Sequence, residues 1–325
     1  MSRVHDALRR AEQAGILNLE NADAPAAPPP VLDQPHGQQG SPRAAENGTS
    51  RAAGEGSAPG GLHPAILENV PEVPFQPAPE SHLLDLQRTH ETPAEEFRTL
   101  RTRLNHLQTL QPLHNVVISS PSPAEGKTFT AVNLALAESH LTENRVLLAD
   151  FDLRRPLIHN LFQIVRVPGL TDYLMGKVPL SGALRKVSGM NLYVLPAGTP
   201  VKNPLELLNT RQAKTLFEEL PKVFTWAIFD TPPLLFSADA NLLSTLADGT
   251  ILVVRIGSTT FDNVTRAMQS LCENNVLGIV ANGARLGVVQ QVHVLLFEVR
   301  IARQAGNRPT PTPTPLYFSL DIFIQ

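Results

Sequence analysis

From residue 115 onward, short β-branched and apolar runs alternate with longer amphipathic stretches. The runs read NVVIS, RVLLA, NLYVLP, FTWAIF, TILVVR and LGIVAN. That alternation predicts an α/β fold, a mainly parallel sheet with helices on both faces. Just upstream, ETPAEEFRTLRTRLNHLQTL carries the marks of a helix start: Thr92 as N-cap, Pro93 at the first helical position and Glu95 closing a capping box. Phe97, Leu100, Leu104 and Leu107 then fall on one face of the helix.

Outside this block the pattern weakens. Near the N-terminus Val4, Leu8 and Ala11 keep helical spacing, with Arg3, Asp6, Arg9, Arg10 and Glu12 on the remaining positions. This short amphipathic helix is either a docking peptide or a half-formed helix at a free end, since isolated helices of that length are marginal. From 21 to 80, 19 of 60 residues are Pro or Gly, too many for a segment that must bury apolar surface to offset the entropy of ordering. The chain therefore divides into an N-terminal amphipathic helix (1–20), a disordered linker (21–85), an ordered α/β domain (86–287) and an atypical tail (288–325). In that tail PTPTPTP reads as an extended spacer.

Composition narrows the function mostly by exclusion. The 325 residues are 42% hydrophobic and 18% charged, a globular balance. A formal net charge of −3 without a basic block gives no surface for nucleic acid or an anionic membrane. The single Cys272 excludes an intramolecular disulfide framework, and no Cys/His metal spacing occurs. No apolar run reaches the roughly 18 to 20 residues of a spanning helix. The expectation is a soluble cytoplasmic protein, brought to the inner face of a membrane by a partner.

The candidate chemistry begins at SSPSPAEGKTFTAVNLALAES, residues 119–139. A P-loop is written G-x-x-x-x-G-K-[ST], with backbone amides and Lys on the phosphates and the hydroxyl on Mg²⁺. Gly126, Lys127 and Thr128 match its second half, whereas Pro121 stands where the first glycine belongs. Context supplies what the motif lacks: the segment follows the strand NVVIS and opens a helix, at the carboxyl end of a sheet. Two more strands end in aspartate, VLLADFDLRRP with Asp150 and Asp152, and FTWAIFDTPP with Asp230. A lone strand-end aspartate is commonly a turn residue; three behind a P-loop point to a nucleotide and metal site.

SPSPAEGKTFTAVNLALA, VLLADFDLRRPLIH and AIFDTPPLLFSADANLL resemble, in order, the Walker A, A′ and B boxes of the bacterial tyrosine kinases of capsule and exopolysaccharide export. GLTDYLMG, NLYVLPAG, NPLELL and EEFRTLRTRL resemble that family's connecting segments, so the similarity spans roughly 92 to 285. The opening MSRVHDALRRAEQ is similar to that of its soluble members. The resemblance implies a P-loop protein-tyrosine kinase that uses ATP and Mg²⁺ and regulates polysaccharide polymerisation and export. It implies nucleotide contacts from Pro123, Ala124, Glu125, Gly126, Lys127, Thr128 and Phe129, and catalysis by Lys127, Asp150, Asp152, Asp230 and Arg154. Thr128, Asp150 and Asp230 would hold the metal. Asp150 is favoured as metal-proximal and as base, with the division between it and Asp152 left open. Arg154 either orients the acceptor or faces solvent.

Glu95, Arg98 and Arg101 form E-x-x-R-x-x-R, associated in the family with contacts between subunits of a ring; by pattern alone it is also an i,i+3 surface ion pair. The implied partners are a second copy of the chain and the cytoplasmic segment of a membrane polysaccharide chain-length regulator. Two alternatives stand beside this reading. A Min/Par-type positioning ATPase carries a signature lysine five residues before the P-loop lysine, where this chain has Ser122. A non-catalytic nucleotide-binding scaffold of the export machinery fits the shortage of tyrosines, Tyr173, Tyr193 and Tyr317 in all. The first two are expected to be packed, which leaves Tyr317 as the acceptor on the chain itself.

Overall fold

The computed structural model describes residues 62–77, 83, 94–271 and 276–283, together with the backbone of two strands at 295–301 and 318–321. The N-terminal amphipathic segment, most of the Pro/Gly-rich stretch, the Thr92–Pro93 cap, Cys272 and Tyr317 lie outside the described residues.

The six apolar runs become the parallel heart of one sheet. They are β2 (Asn115–Ser119), β3 (Val146–Asp150), β5 (Leu192–Leu195), β6 (Trp226–Asp230), β7 (Gly249–Arg255) and β8 (Val276–Asn282). In space they run β5-β3-β6-β2-β7-β8, all parallel. Every residue of β2, β3 and β6 is buried, which is why these strands read as continuous apolar runs. Successive residues still serve opposite faces. Val116, Ile118, Leu148 and Ile228 pack under α1 (Ala94–Leu110) and α2 (Lys127–Ser139). Val117, Leu147, Ala149 and Phe229 pack into the other layer.

The α1 stripe is the one expected, with Phe97, Leu100 and Leu104 buried and Leu107 packed at the margin. The second layer is built from shorter helices: α3 (Ile158–Leu161), α4 (Leu170–Leu174), α5 (Leu180–Ala183), α6 (Pro204–Leu208), α7 (Arg211–Glu219) and α8 (Ala238–Leu246). With α9 (Phe261–Ser270), Leu252, Val254 and Ile279 form a third cluster under β7 and β8.

Two regions depart from the sequence expectation. Residues 62–77, placed in the disordered linker, are ordered: Pro64–Leu67 forms a 3₁₀ turn, and β1 (Glu72–Val73) pairs parallel to β4 (Arg185–Val187). Val70 is buried, while Leu62, Ile66 and Leu67 pack on the second layer. A Pro/Gly count averaged over 60 residues concealed this short apolar stretch. The tail also contributes strands: β9 (Leu295–Ile301) runs antiparallel to β8, and β10 (Phe318–Asp321) antiparallel to β9.

Candidate active site

Strand register assembles the site. Asp230 lies opposite Ile118 on one side and Asp150 on the other, so both carboxylates stand at the carboxyl edge beside the strand that feeds the P-loop. Asp152 lies two positions beyond Asp150, past the end of β3, and is buried with it. The order β3-β6-β2-β7 places β2 at the middle of the sheet, where connections leave in opposite directions; this is the usual place for a ligand crevice in an open α/β sheet.

The loop itself is shaped for close approach. Gly126 caps α2 with φ +100°, and a Cβ there would lie 1.9 Å from Asn282 Nδ2. Ala124 also holds a positive φ, 63°, an uncommon state for a residue with a side chain and one found at ligand clamps. Beyond Gly126 the first amides of α2 have no acceptor within the helix, and they mark its positive end. Lys127 Nζ lies 3.2 Å from Asp152 Oδ2 in a largely buried ion pair. The Phe129 ring packs on Phe97 in the core, so this residue offers the loop only its backbone.

The three aspartates are held differently. Asp150 Oδ2 accepts the amides of Leu157 and Ile158, each at 3.1 Å, while its Oδ1 is buried without a partner. Both oxygens of Asp230 are buried without a hydrogen bond. Thr128 stands close enough to favour the charged form of Asp230, but its hydroxyl does not complete a bond of ordinary geometry. Burial first, and then the neighbouring carboxylates, push the pKa of Asp150 and Asp230 upward, and the Lys127 charge partly offsets this at Asp230. Asp152 accepts the amide of Arg155 at 3.0 Å besides facing Lys127.

Arg154 grips Asp239 with two nitrogens, Nε to Oδ2 at 2.8 Å and Nη2 to Oδ1 at 3.4 Å, and remains half-exposed beside the site. This tethers one end of the loop after β6, whose other end is bound through Leu234 N–H to Ser120 O at 2.8 Å. Phe236, between these anchors, is 67% exposed. The sequence reading missed Asp239, and with it Arg255, Thr259 and Asn282, which hold the P-loop from the ends of β7 and β8. Arg255 and Asn282 are polar residues ending apolar strands, the criterion that found the aspartates.

The E-x-x-R-x-x-R group divides. Glu95 pairs with Arg98 on the exposed face of α1, whereas Arg101 Nη1 donates to Ala137 O at 3.0 Å at the far end of α2. Tyr193 is buried against Phe224, and Tyr173 is half-buried on the second layer.

Comparison with known proteins decides the family. The chain is 36% identical over 195 residues to the tyrosine-protein kinase YwqD of Bacillus subtilis, covering 59% of this chain and 82% of that one. The chain belongs to the bacterial tyrosine-protein kinases. It is also 32% identical over 206 residues to the tyrosine-protein kinase wzc of Salmonella typhimurium, of which it spans only 28%. Among solved structures, the kinase domain of the Escherichia coli tyrosine kinase ETK superposes with a TM-score of 0.58 at 28% identity, over 71% of this chain and 98% of that one. The chimerical protein CapA2B2 gives 0.57 at 26% identity, over 67% and 95%. No family model matches the chain. As a member of this kinase family with a P-loop fold, the protein binds nucleotide.

Proposed function

We propose that the chain transfers the γ-phosphoryl group of ATP, bound with Mg²⁺, to a protein tyrosine and so regulates polysaccharide polymerisation and export. The observation that carries this is the set of three buried carboxylate oxygens left without partners beside Lys127 and Thr128. An uncompensated buried carboxylate is costly, so an oxygen-only cluster of this kind suits a hard cation. Among the described residues no group of three or more His, Cys, Asp or Glu side chains forms a closed metal site. Mg²⁺ needs none, because it keeps waters and takes one or two carboxylates beside phosphate oxygens.

In this reading Thr128, Asp150 and Asp230 hold the metal, which supplies charge neutralisation at the phosphates. The amides of 123–129 and Lys127 bind the phosphates, and Lys127 leaves Asp152 to do so. Asp150, whose Oδ2 is taken by two amides and whose Oδ1 has no partner, is the favoured base for the tyrosine hydroxyl, with Asp152 next to it. Arg154, anchored on Asp239, orients the acceptor. Catalysis of this kind is mainly positioning and neutralisation. We assign the kinase unit to 86–287, with β1 added to its edge, the N-terminal helix to 1–20, the tail to 288–325, and self-association to Glu95, Arg98 and Arg101. The partner is the cytoplasmic segment of a membrane chain-length regulator, which recruits the chain to the membrane; among the described residues no helix is long and apolar enough to cross one.

The test is incubation with ATP, Mg²⁺ and that segment, followed by mapping of phosphotyrosine by mass spectrometry. Phosphate is expected on Tyr317 or on the partner, since Tyr193 and Tyr173 are packed. Lys127→Met should abolish it without unfolding the protein. Absence of phosphotyrosine from wild type with ATP bound overturns the kinase assignment in favour of a scaffold.

A further inference from the structure

A glutamate inside an anion-binding loop is an electrostatic misfit unless the fold turns it to another use. Glu125 is 2% exposed, and both its oxygens are taken. Oε2 accepts the Ser122 amide at 2.9 Å, and Oε1 accepts the Thr259 hydroxyl at 2.6 Å. Thr259 Oγ1 in turn accepts the amide of Arg255, the last residue of β7, at 2.7 Å. The backbone around Glu125 is held from the same side. The Arg255 guanidinium donates to Ala124 O at 3.2 Å, and Asn282 Nδ2, at the end of β8, donates to Glu125 O at 3.0 Å.

This lattice encloses the two loop residues at positive φ, Ala124 and Gly126. We propose that Glu125 is a positioning residue: through Thr259 and Ser122 its carboxylate clamps the phosphate loop to the ends of β7 and β8, presetting the loop amides before nucleotide arrives. The inference rests on the nucleotide-site reading and deepens it, because the Glu125 side chain acts on the loop and touches no phosphate. Presetting removes the cost of ordering the loop at the moment of binding. Thr259 becomes a remote determinant of nucleotide affinity, although it lies 131 positions beyond Thr128.

The test uses the full chain, with the affinity for ADP and Mg²⁺ read by calorimetry and ATP turnover resolved into KM and kcat. Glu125→Ala and Thr259→Val should each weaken ADP binding and raise the ATP KM about tenfold or more, as loss of a hydrogen bond to a charged group does. The double variant should be no worse than the weaker-binding single variant, since both changes break one clamp. Thr259→Ser, which keeps the hydroxyl, should bind as wild type does. A lowered melting temperature with unchanged ADP affinity would show a merely structural bond and overturn the inference, as would additive losses or failure of Thr259→Ser to restore affinity. If Glu125→Ala does not fold, the Thr259→Val and Thr259→Ser pair decides alone. A wild type that binds no nucleotide overturns the nucleotide site and this inference together; a wild type that binds while the variants bind equally overturns this inference only.

Discussion

The two ends of helix α2 bury carboxylates in opposite ways. At its N-terminal end Asp150 and Asp230 leave three oxygens without partners, next to Lys127 and Thr128. At its C-terminal end Glu138 is fully buried with a partner for each oxygen. Asn105 Nδ2 reaches both its oxygens at 3.3 and 3.1 Å, and Asn144 Nδ2 reaches Oε2 at 3.0 Å. Asn105 Oδ1 accepts the Trp226 indole N–H at 3.2 Å, which extends the network to β6. The same helix in the same fold thus shows that both oxygens of a buried acid can find partners within the chain. The open oxygens at the other end have no such amide partners among the described residues.

That contrast is most exposed to failure at Asp230. Asp230→Asn should lower phosphotransfer about 100-fold or more, as loss of transition-state charge stabilisation does, yet hold or raise the melting temperature without nucleotide, since a crowded buried charge is removed. Glu138→Ala should do the reverse: it strands Asn105 and Asn144, costing roughly 2 to 4 kcal/mol, and leaves the ATP KM unchanged. Turnover assays with calorimetric unfolding distinguish the two. An unfolded Asp230→Asn, or a Glu138→Ala that alters KM without loss of stability, would dissolve the distinction.

Acidity sharpens it next. Burial raises the Glu138 pKa from 4.5 to about 7, against the lowering pull of Asn105, Arg101 and Asn144. Between those values the folded state holds a proton that the unfolded state has released, so this group's contribution to stability falls as pH rises through the window and is flat above it. The fall is at most about 3 kcal/mol. Glu138→Gln should remove that slope. The difference between wild-type and variant urea curves across pH isolates it from Asp150 and Asp230, whose shifts have the same direction.

The smallest effects concern the two arginines of α1. Arg101 serves the Glu138 end through Ala137 O, so Arg101→Ala should cost about 1 kcal/mol, the net worth of one hydrogen bond. The Arg98 and Glu95 pair is exposed, so Arg98→Ala should cost only a few tenths of a kcal/mol. Light scattering on both variants then shows whether either arginine supports assembly. Equal stability losses would place both in a single surface network.

What the sequence made legible follows from what it encodes locally. The six central strands are visible because burial on both faces makes them unbroken apolar runs, and the α1 face because Phe97, Leu100 and Leu104 repeat at helical spacing. Asp150, Asp152 and Asp230 are visible because they end such runs. β4 is three residues long and β1 two, too short for any period to show. Arg255 and Asn282 end apolar strands and could be found by the same sign, but Thr259 carries no such mark, and the bonds of all three to residues 124 and 125 span more than 130 positions. Arg154 stood out in the sequence as a candidate, but its hold on Asp239 did not, since that pairing exists only once the two loops meet.

Position 126 has a consequence for how this chain can diverge. A side chain there meets two obstacles, the Asn282 amide 1.9 Å from its Cβ, which would have to swing aside, and the backbone at φ +100°. Trimming Asn282 relieves the first obstacle and leaves the second, because handedness belongs to the residue itself. It would also release the carbonyl of Glu125 that Asn282 holds. A substitution at 126 therefore carries two costs at once, a displaced Asn282 amide and a left-handed backbone, and glycine is the residue that meets neither.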